Sequence, residues 1–276
     1  MTLGLQIDRD GRTTRLKWHR VRQLATDTAF TGARLVDGLR AGASVEIDIN
    51  RHGGGGFVIL HDPTLDRDTT GSGKVGDTAP VTLRGLFLRD NQGRPTTEPL
   101  MLLEDVGDLL ADCNAGDGAL FQLDIKTTAT DLTGADLAAF GAVVGRLGVD
   151  VILSSDDADA VRMLARAAPG VQIGHDPCHG HLADALRRDR DFGAFVKAAL
   201  AESPEATMIY LAIPIVLAAE DHGCNLVAAF QAAGRRVDAW TMQKADGIIL
   251  RRLPDLGVDQ ITTDDPVAVE RLAVQL

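Results

Sequence analysis

At 276 residues the chain is long for one average domain but ordinary for a single α/β barrel. With 45% hydrophobic and 24% charged residues it can bury a large core, and its formal charge of −11 argues against broad contact with nucleic acid or an anionic membrane, because phosphate arrays want a basic footprint. A small anionic substrate fits only where a metal ion or a few Arg and Lys override that field locally.

The N-terminal stretch MTLGLQIDRDGRTTR lacks an apolar signal core, and no run along the chain approaches the ~18 residues of a membrane span. A cytoplasmic protein without membrane insertion is expected. The first strand candidate, RLKWHR, ends in His19-Arg20. SVEIDIN follows and carries Glu46 and Asp48; the turn HGGGG then leads into GFVILHD, which ends in His61-Asp62. A small insertion, about residues 63–98, is placed after the HDPTLDR segment, and PLMLLEDVGDLL reads as a helix. Further strands are ALFQLDIK with Asp124 and Lys126, VDVILSSD, VQIGHD, TMIYLAIP, RVDAWTM and DQITTDD. Between most of them lie Ala/Leu-rich segments, such as ADLAAFGAVVGRLG and NLVAAFQAAGRR, that are apolar at i, i+3 and i+4. Alternating strands and helices predict a parallel sheet with right-handed crossovers. The fold class expected is α/β, a TIM (β/α)8 barrel formed as one domain over residues 1–276. Nine candidates for eight barrel positions make one strand extra, and the Gly53–Gly56 turn marks the place. A doubly wound open sheet is the rival, but no GxGxxG follows the first strand. The three cysteines, Cys113, Cys178 and Cys224, are far apart and form no CxxC, which fits a reducing compartment better than a disulfide framework.

Polar residues gather where these strands end, and in a parallel barrel all those ends lie on the face where active sites are built. Glu46 and Asp48 share one face of their strand because side chains alternate with period two, and Asp124 and Lys126 repeat the spacing later. Three carboxylates converging on a barrel mouth repel one another unless a hard cation such as Mg²⁺ or Ca²⁺ sits among them. Either pair taken singly also suits a solvated strand end. His19 and His61, each followed by a charged residue, suit an acid and a base flanking a phosphodiester. Arg20 could bind a phosphoryl oxygen, with Lys126 adding positive charge. The segment His175-Asp-Pro-Cys-His179-Gly-His181 has three readings: a mouth loop touching the substrate's leaving group, a solvated loop, or a transition-metal site.

These pieces, in this order, resemble the glycerophosphodiester phosphodiesterase family of metal-dependent TIM barrels. The resemblance rests on His19-Arg20, AGASVEIDI, VILHDPTLDRDTTGSGKV over residues 58–75, PLMLLEDVGDLL, QLDIK, AWTM and GVDQITTDDP, and covers about residue 16 to the C-terminus. It implies hydrolysis of a small glycerophosphodiester to an alcohol and glycerol phosphate, with one divalent cation, Mg²⁺ or Ca²⁺. His19 and His61 would be the acid/base pair, and Glu46, Asp48 and Asp124 the metal ligands. Arg20 and Lys126 would contact the phosphate; Trp240, and His179 from the place of its loop after a strand, are expected to line the substrate pocket. In such enzymes the neighbouring glycerol hydroxyl can attack phosphorus first, giving a cyclic phosphate that water opens. The chain departs from the family pattern in three places. HRVRQLATDT lacks the glycine after HR and the P-E-N-T run, with Asp27-Thr28 near the expected Asn-Thr. Asp124 replaces a glutamate, and Gln243 an asparagine. These departures leave open a branch acting on sugar phosphodiesters of the agrocinopine type, and a non-catalytic binding barrel.

Overall fold

A closed ring of eight parallel strands carries the molecule. The computed structural model describes residues 3–276, and among these twelve strands form: β1 (Gln6–Arg9), β2 (Arg12–Trp18), β3 (Ser44–Arg51), β4 (Phe57–Ile59), β5 (Phe87–Arg89), β6 (Pro95–Pro99), β7 (Leu120–Ile125), β8 (Val151–Ser154), β9 (Gln172–His175), β10 (Met208–Ala212), β11 (Arg236–Met242) and β12 (Gln260–Thr263). The wall runs β2-β3-β7-β8-β9-β10-β11-β12 and closes where β12 pairs with β2, Gln260 opposite Arg15 and Thr262 opposite Lys17.

The extra strand candidate is β4. It runs antiparallel to β3, with Ile49 opposite Ile59, and stands off the barrel wall at the mouth. The glycine turn between them is demanded by crowding as much as by conformation. Gly55 and Gly56 lie at φ +77° and +140°, and a Cβ at Gly54 would stand 2.6 Å from Pro80. Two further pairings were not foreseen: β1 folds antiparallel onto β2, and β5 with β6 makes a small hairpin of its own in the inserted region.

Helices cover the outside, and their starts follow capping chemistry. Asp157, Asp191, Asn225, Asp246 and Asp265 each accept backbone N–H groups of the following first turn. Thr133 and Asp136 form a reciprocal capping box on helix Gly134–Val144. Most apolar burial lies between strands and helices. Val45, Ile47 and Ile49 of β3 and Phe121, Leu123 and Ile125 of β7 are fully or almost fully buried in that layer. The alternate residues point inward. At the closed end of the interior Leu120, Ile152, Met208 and Tyr210 pack together. Nearer the mouth the interior turns polar, with Lys17, Gln122, Ser154, Asp238 and Thr262 all buried. Among the described residues no single helix is long and apolar enough to cross a membrane.

Candidate active site

The polar interior opens at the strand C-termini into a cavity of about 250 Å³, lined among others by His19, Arg20, Glu46, Asp48, His61, Asp124, Lys126, His179 and Trp240. Every residue given a role in the expected site, from His19 to Trp240, therefore reaches one mouth. Period-two alternation puts Glu46 and Asp48 side by side on β3. Register puts Asp124 on β7 directly opposite Asp48. One oxygen from each of the three carboxylates lies within 4.8 Å of the others.

Two cations stand against these acids. The Arg20 amide N–H donates to Glu46 Oε2 at 2.7 Å, while its Nε lies 3.2 Å from Asp48 Oδ2 without hydrogen-bond alignment. One residue can reach both acids because its backbone is left-handed, at φ +54° and ψ +37°. Val21 follows at φ +54°, where the family pattern has glycine. A β-branched residue there costs about 1–2 kcal/mol, offset by complete burial of its side chain. Lys126 Nζ lies 3.1 Å from Asp48 Oδ1 and hydrogen-bonds Asp124 Oδ2. Burial opposes its charge, but Asp124 and Asp48 together hold the Lys126 pKa above the usual lysine range.

The charge among these groups is unbalanced. Burial, then Asp48 and Asp124, push the Glu46 carboxyl up to about 8. Asp48 Oδ2 is buried without a hydrogen bond. Three hard-oxygen donors short of positive charge, two buried and Asp124 partly so, are a donor set that fits one divalent cation. Glu46, Asp48 and Asp124 could hold it.

Each histidine is fixed through one nitrogen. His19 Nδ1 lies 2.7 Å from Asp264 Oδ1, which also accepts from Arg22 Nη1 at 2.9 Å; His19 Nε2 lies 4.0 Å from Glu46 Oε2. Burial lowers the His19 pKa, with Asp264 working against it. An Nδ1–H directed at a carboxylate leaves Nε2 as the basic atom of the neutral ring. His61 Nδ1 lies 2.8 Å from Asp62 Oδ1, which Arg67 also pairs at 2.9 Å.

The HDPCHGH segment divides. His179 stacks on Trp240 with ring centroids 5.6 Å apart and planes 14° from parallel, and its Nε2 lies 3.4 Å from Asp176 Oδ2. His181 is 79% exposed and 3.7 Å from Glu202. His175 is buried with Nε2 unpaired, and Cys178 Sγ lies beside the backbone of Tyr210 and Ala212. These side chains do not converge. Among the described residues only Glu46, Asp48 and Asp124 are gathered closely enough to share an ion, so the transition-metal reading of this segment fails.

The residues not anticipated are those beneath the mouth: Lys17, Gln122, Tyr210 and Asp238. Counting back two residues from His19, Asp124, Ala212 and Trp240 would have found them, since period two places them on the same inward face. Asp264, the partner of His19, was visible only as one of several acids after β12.

Known proteins agree with this geometry. The Glycerophosphoryl diester phosphodiesterase family profile matches residues 35–268. A protein from Agrobacterium tumefaciens str. C58 described as a glycerophosphoryl diester phosphodiesterase superposes with TM-score 0.69 at 24% identity, over 95% of this chain and 98% of that one. An Oleispira antarctica phosphodiesterase, solved in complex with the product sn-glycerol-3-phosphate, gives 0.66 at 20% identity over 95% and 96%. No protein of curated function matches the chain by sequence. At such identities the superpositions speak for the fold, and the profile match over most of the length decides the rest: this chain belongs to the glycerophosphoryl diester phosphodiesterase family and is a phosphoric diester hydrolase.

Proposed function

We propose that the protein hydrolyses a small glycerophosphodiester to an alcohol and glycerol phosphate, with one Mg²⁺ or Ca²⁺ held by Glu46, Asp48 and Asp124. The observation carrying this reading is the meeting of three carboxylates, Glu46 and Asp48 buried and Asp124 partly exposed, within 4.8 Å of one another, with Arg20, Lys126 and the constrained His19. A bound cation would supply charge stabilisation to the phosphoryl oxygens. The chain's own groups do the rest. Arg20 and Lys126, just past the ends of β2 and β7, orient the diester. His19, with Nδ1–H directed at Asp264, takes a proton at Nε2 from the attacking hydroxyl or water. His61, oriented through Asp62, returns one to the leaving alkoxide, so that protons balance over the cycle. His179 and Trp240 face the departing alcohol, and Asp176 can accept from its hydroxyls. The complex of the Oleispira antarctica relative with sn-glycerol-3-phosphate supports the same product class here.

Alcohol release from glycerophosphodiesters and from sugar phosphodiesters, each with Mg²⁺, Ca²⁺ or EDTA, tests this. Turnover of glycerophosphodiesters that collapses in EDTA is the expected result. Turnover of sugar phosphodiesters alone would move the substrate to that branch, and binding without turnover of any diester would make the barrel a receptor.

A further inference from the structure

Asp124 alone of the proposed ligands comes from β7, and a line of buried groups lies behind it. Ser154 Oγ donates to Asp124 Oδ1 at 2.6 Å, and Gln122 Nε2 donates to Ser154 Oγ at 2.7 Å. Gln122 Oε1 accepts from Lys17 Nζ, and Lys17 is paired with Asp238 Oδ2 at 3.1 Å. Asp238 Oδ1 accepts from Thr262 Oγ1 at 2.6 Å. Lys17, Gln122, Ser154, Thr262 and Asp238 are each at most 5% exposed.

The direction of this chain is dictated at both ends. An ionised Asp124 only accepts, so Ser154 must spend its one proton there and take its own hydrogen bond from the Gln122 amide. The Gln122 carbonyl must then face the Lys17 ammonium, which has no lone pair and can only donate. No member can flip without leaving a buried group unsatisfied, at a cost well above that of a surface hydrogen bond. One Asp124 oxygen is thereby taken up inside the barrel, and the other, Oδ2, is turned to the mouth beside Lys126.

We infer that Lys17, Gln122 and Ser154 are positioning residues: a buried donor chain that locks the Asp124 carboxylate so that a single oxygen faces the divalent cation. The inference rests on Asp124 being a ligand. It also says why a barrel of this kind spends interior volume on an ion pair where apolar side chains usually fill the layers.

Mn²⁺ binding followed by electron paramagnetic resonance tests it without reference to turnover. Ser154→Ala removes the donor while leaving the fold, and is expected to weaken Mn²⁺ binding about tenfold, the lower end for loss of a group that orients a ligand. Ser154→Thr, which restores the hydroxyl, should bring affinity back to within about twofold of wild type, a rescue that general packing would not produce. Gln122→Met, which keeps volume and removes the amide, should reproduce the Ser154→Ala loss. Asp124→Asn is measured alongside. Weak binding in Asp124→Asn with wild-type binding in both Ser154→Ala and Gln122→Met would overturn the donor chain alone. Wild-type binding in Asp124→Asn would overturn the ligand assignment and the chain with it.

Discussion

His19 carries two constraints that rarely meet in a surface histidine. Its Nδ1 is engaged by Asp264, and its surroundings, mainly through burial, disfavour the charged ring. Such a group rests unprotonated and oriented, which is the state a base needs before reaction. His19→Ala and His61→Ala are each expected to lower kcat by roughly 10²–10⁴-fold, with thermal melting little changed because neither side chain belongs to the apolar layers. Retention of most activity in either variant would return that histidine to a structural role. The chemistry-bearing residues at strand ends could be read from the sequence because each terminates an apolar run, a place packing does not fill with acids or histidines. Lys17 and Asp238 could not be read in that way. Each sits between apolar neighbours, Leu16 and Trp18 or Val237 and Ala239, rather than at a strand end, and only the closed register, which puts β2 and β11 on either side of β12, shows that the two charges cancel.

At the level of elements, the β3–β4 hairpin brings His61 to the mouth, and Asp136 pins it there. This residue, completely buried at the start of helix Gly134–Val144, accepts from Gly56 N at 2.9 Å, from Arg51 Nε at 3.0 Å, and from Thr133 through both its amide and hydroxyl. Asp136→Ala should therefore destabilise the protein by on the order of 3 kcal/mol, read from denaturant midpoints. Burial opposes ionisation of Asp136, but hydrogen bonds from Thr133, Gly56 and Arg51 outweigh it and hold its pKa below 3.8. A folded pKa below the unfolded one gives stability that is fully present above about pH 4 and lost as pH falls through the folded value. The gap between wild type and Asp136→Ala should accordingly be constant near neutrality and shrink in acid; a gap that persists at pH 2 would assign the loss to packing. The hairpin itself was foreshadowed by the count of nine strand candidates and the glycine turn. The β1–β2 and β5–β6 pairings were not, since QIDR and PTTEP lack the alternating apolar pattern that marks a buried strand.

For the whole molecule, three acids facing one another at the mouth are a repulsion the fold must withstand, and a bound cation relieves it. Added Mg²⁺ or Ca²⁺ should raise the melting temperature, by the equivalent of about 2.7 kcal/mol at a hundredfold excess over Kd. The gain should vanish in EDTA and in Glu46→Gln. A melting curve indifferent to both ions would mean the acids are neutralised from within. Barrel closure has a further consequence, one that concerns time. His19 just after β2 meets Asp264 just after β12 across 245 residues, and inside the wall Gln260 donates to Ser44 at 2.7 Å across 216. During synthesis β2 and β3 leave the ribosome well before β11 and β12, so β2 lacks its β12 neighbour and Lys17 lacks Asp238 until those later strands emerge. Until then the lysine ammonium stays hydrated and the β2 edge stays open to wrong partners. The nascent barrel thus passes through a long interval as a wet, half-built sheet, and its last strand acts as the latch that expels the water.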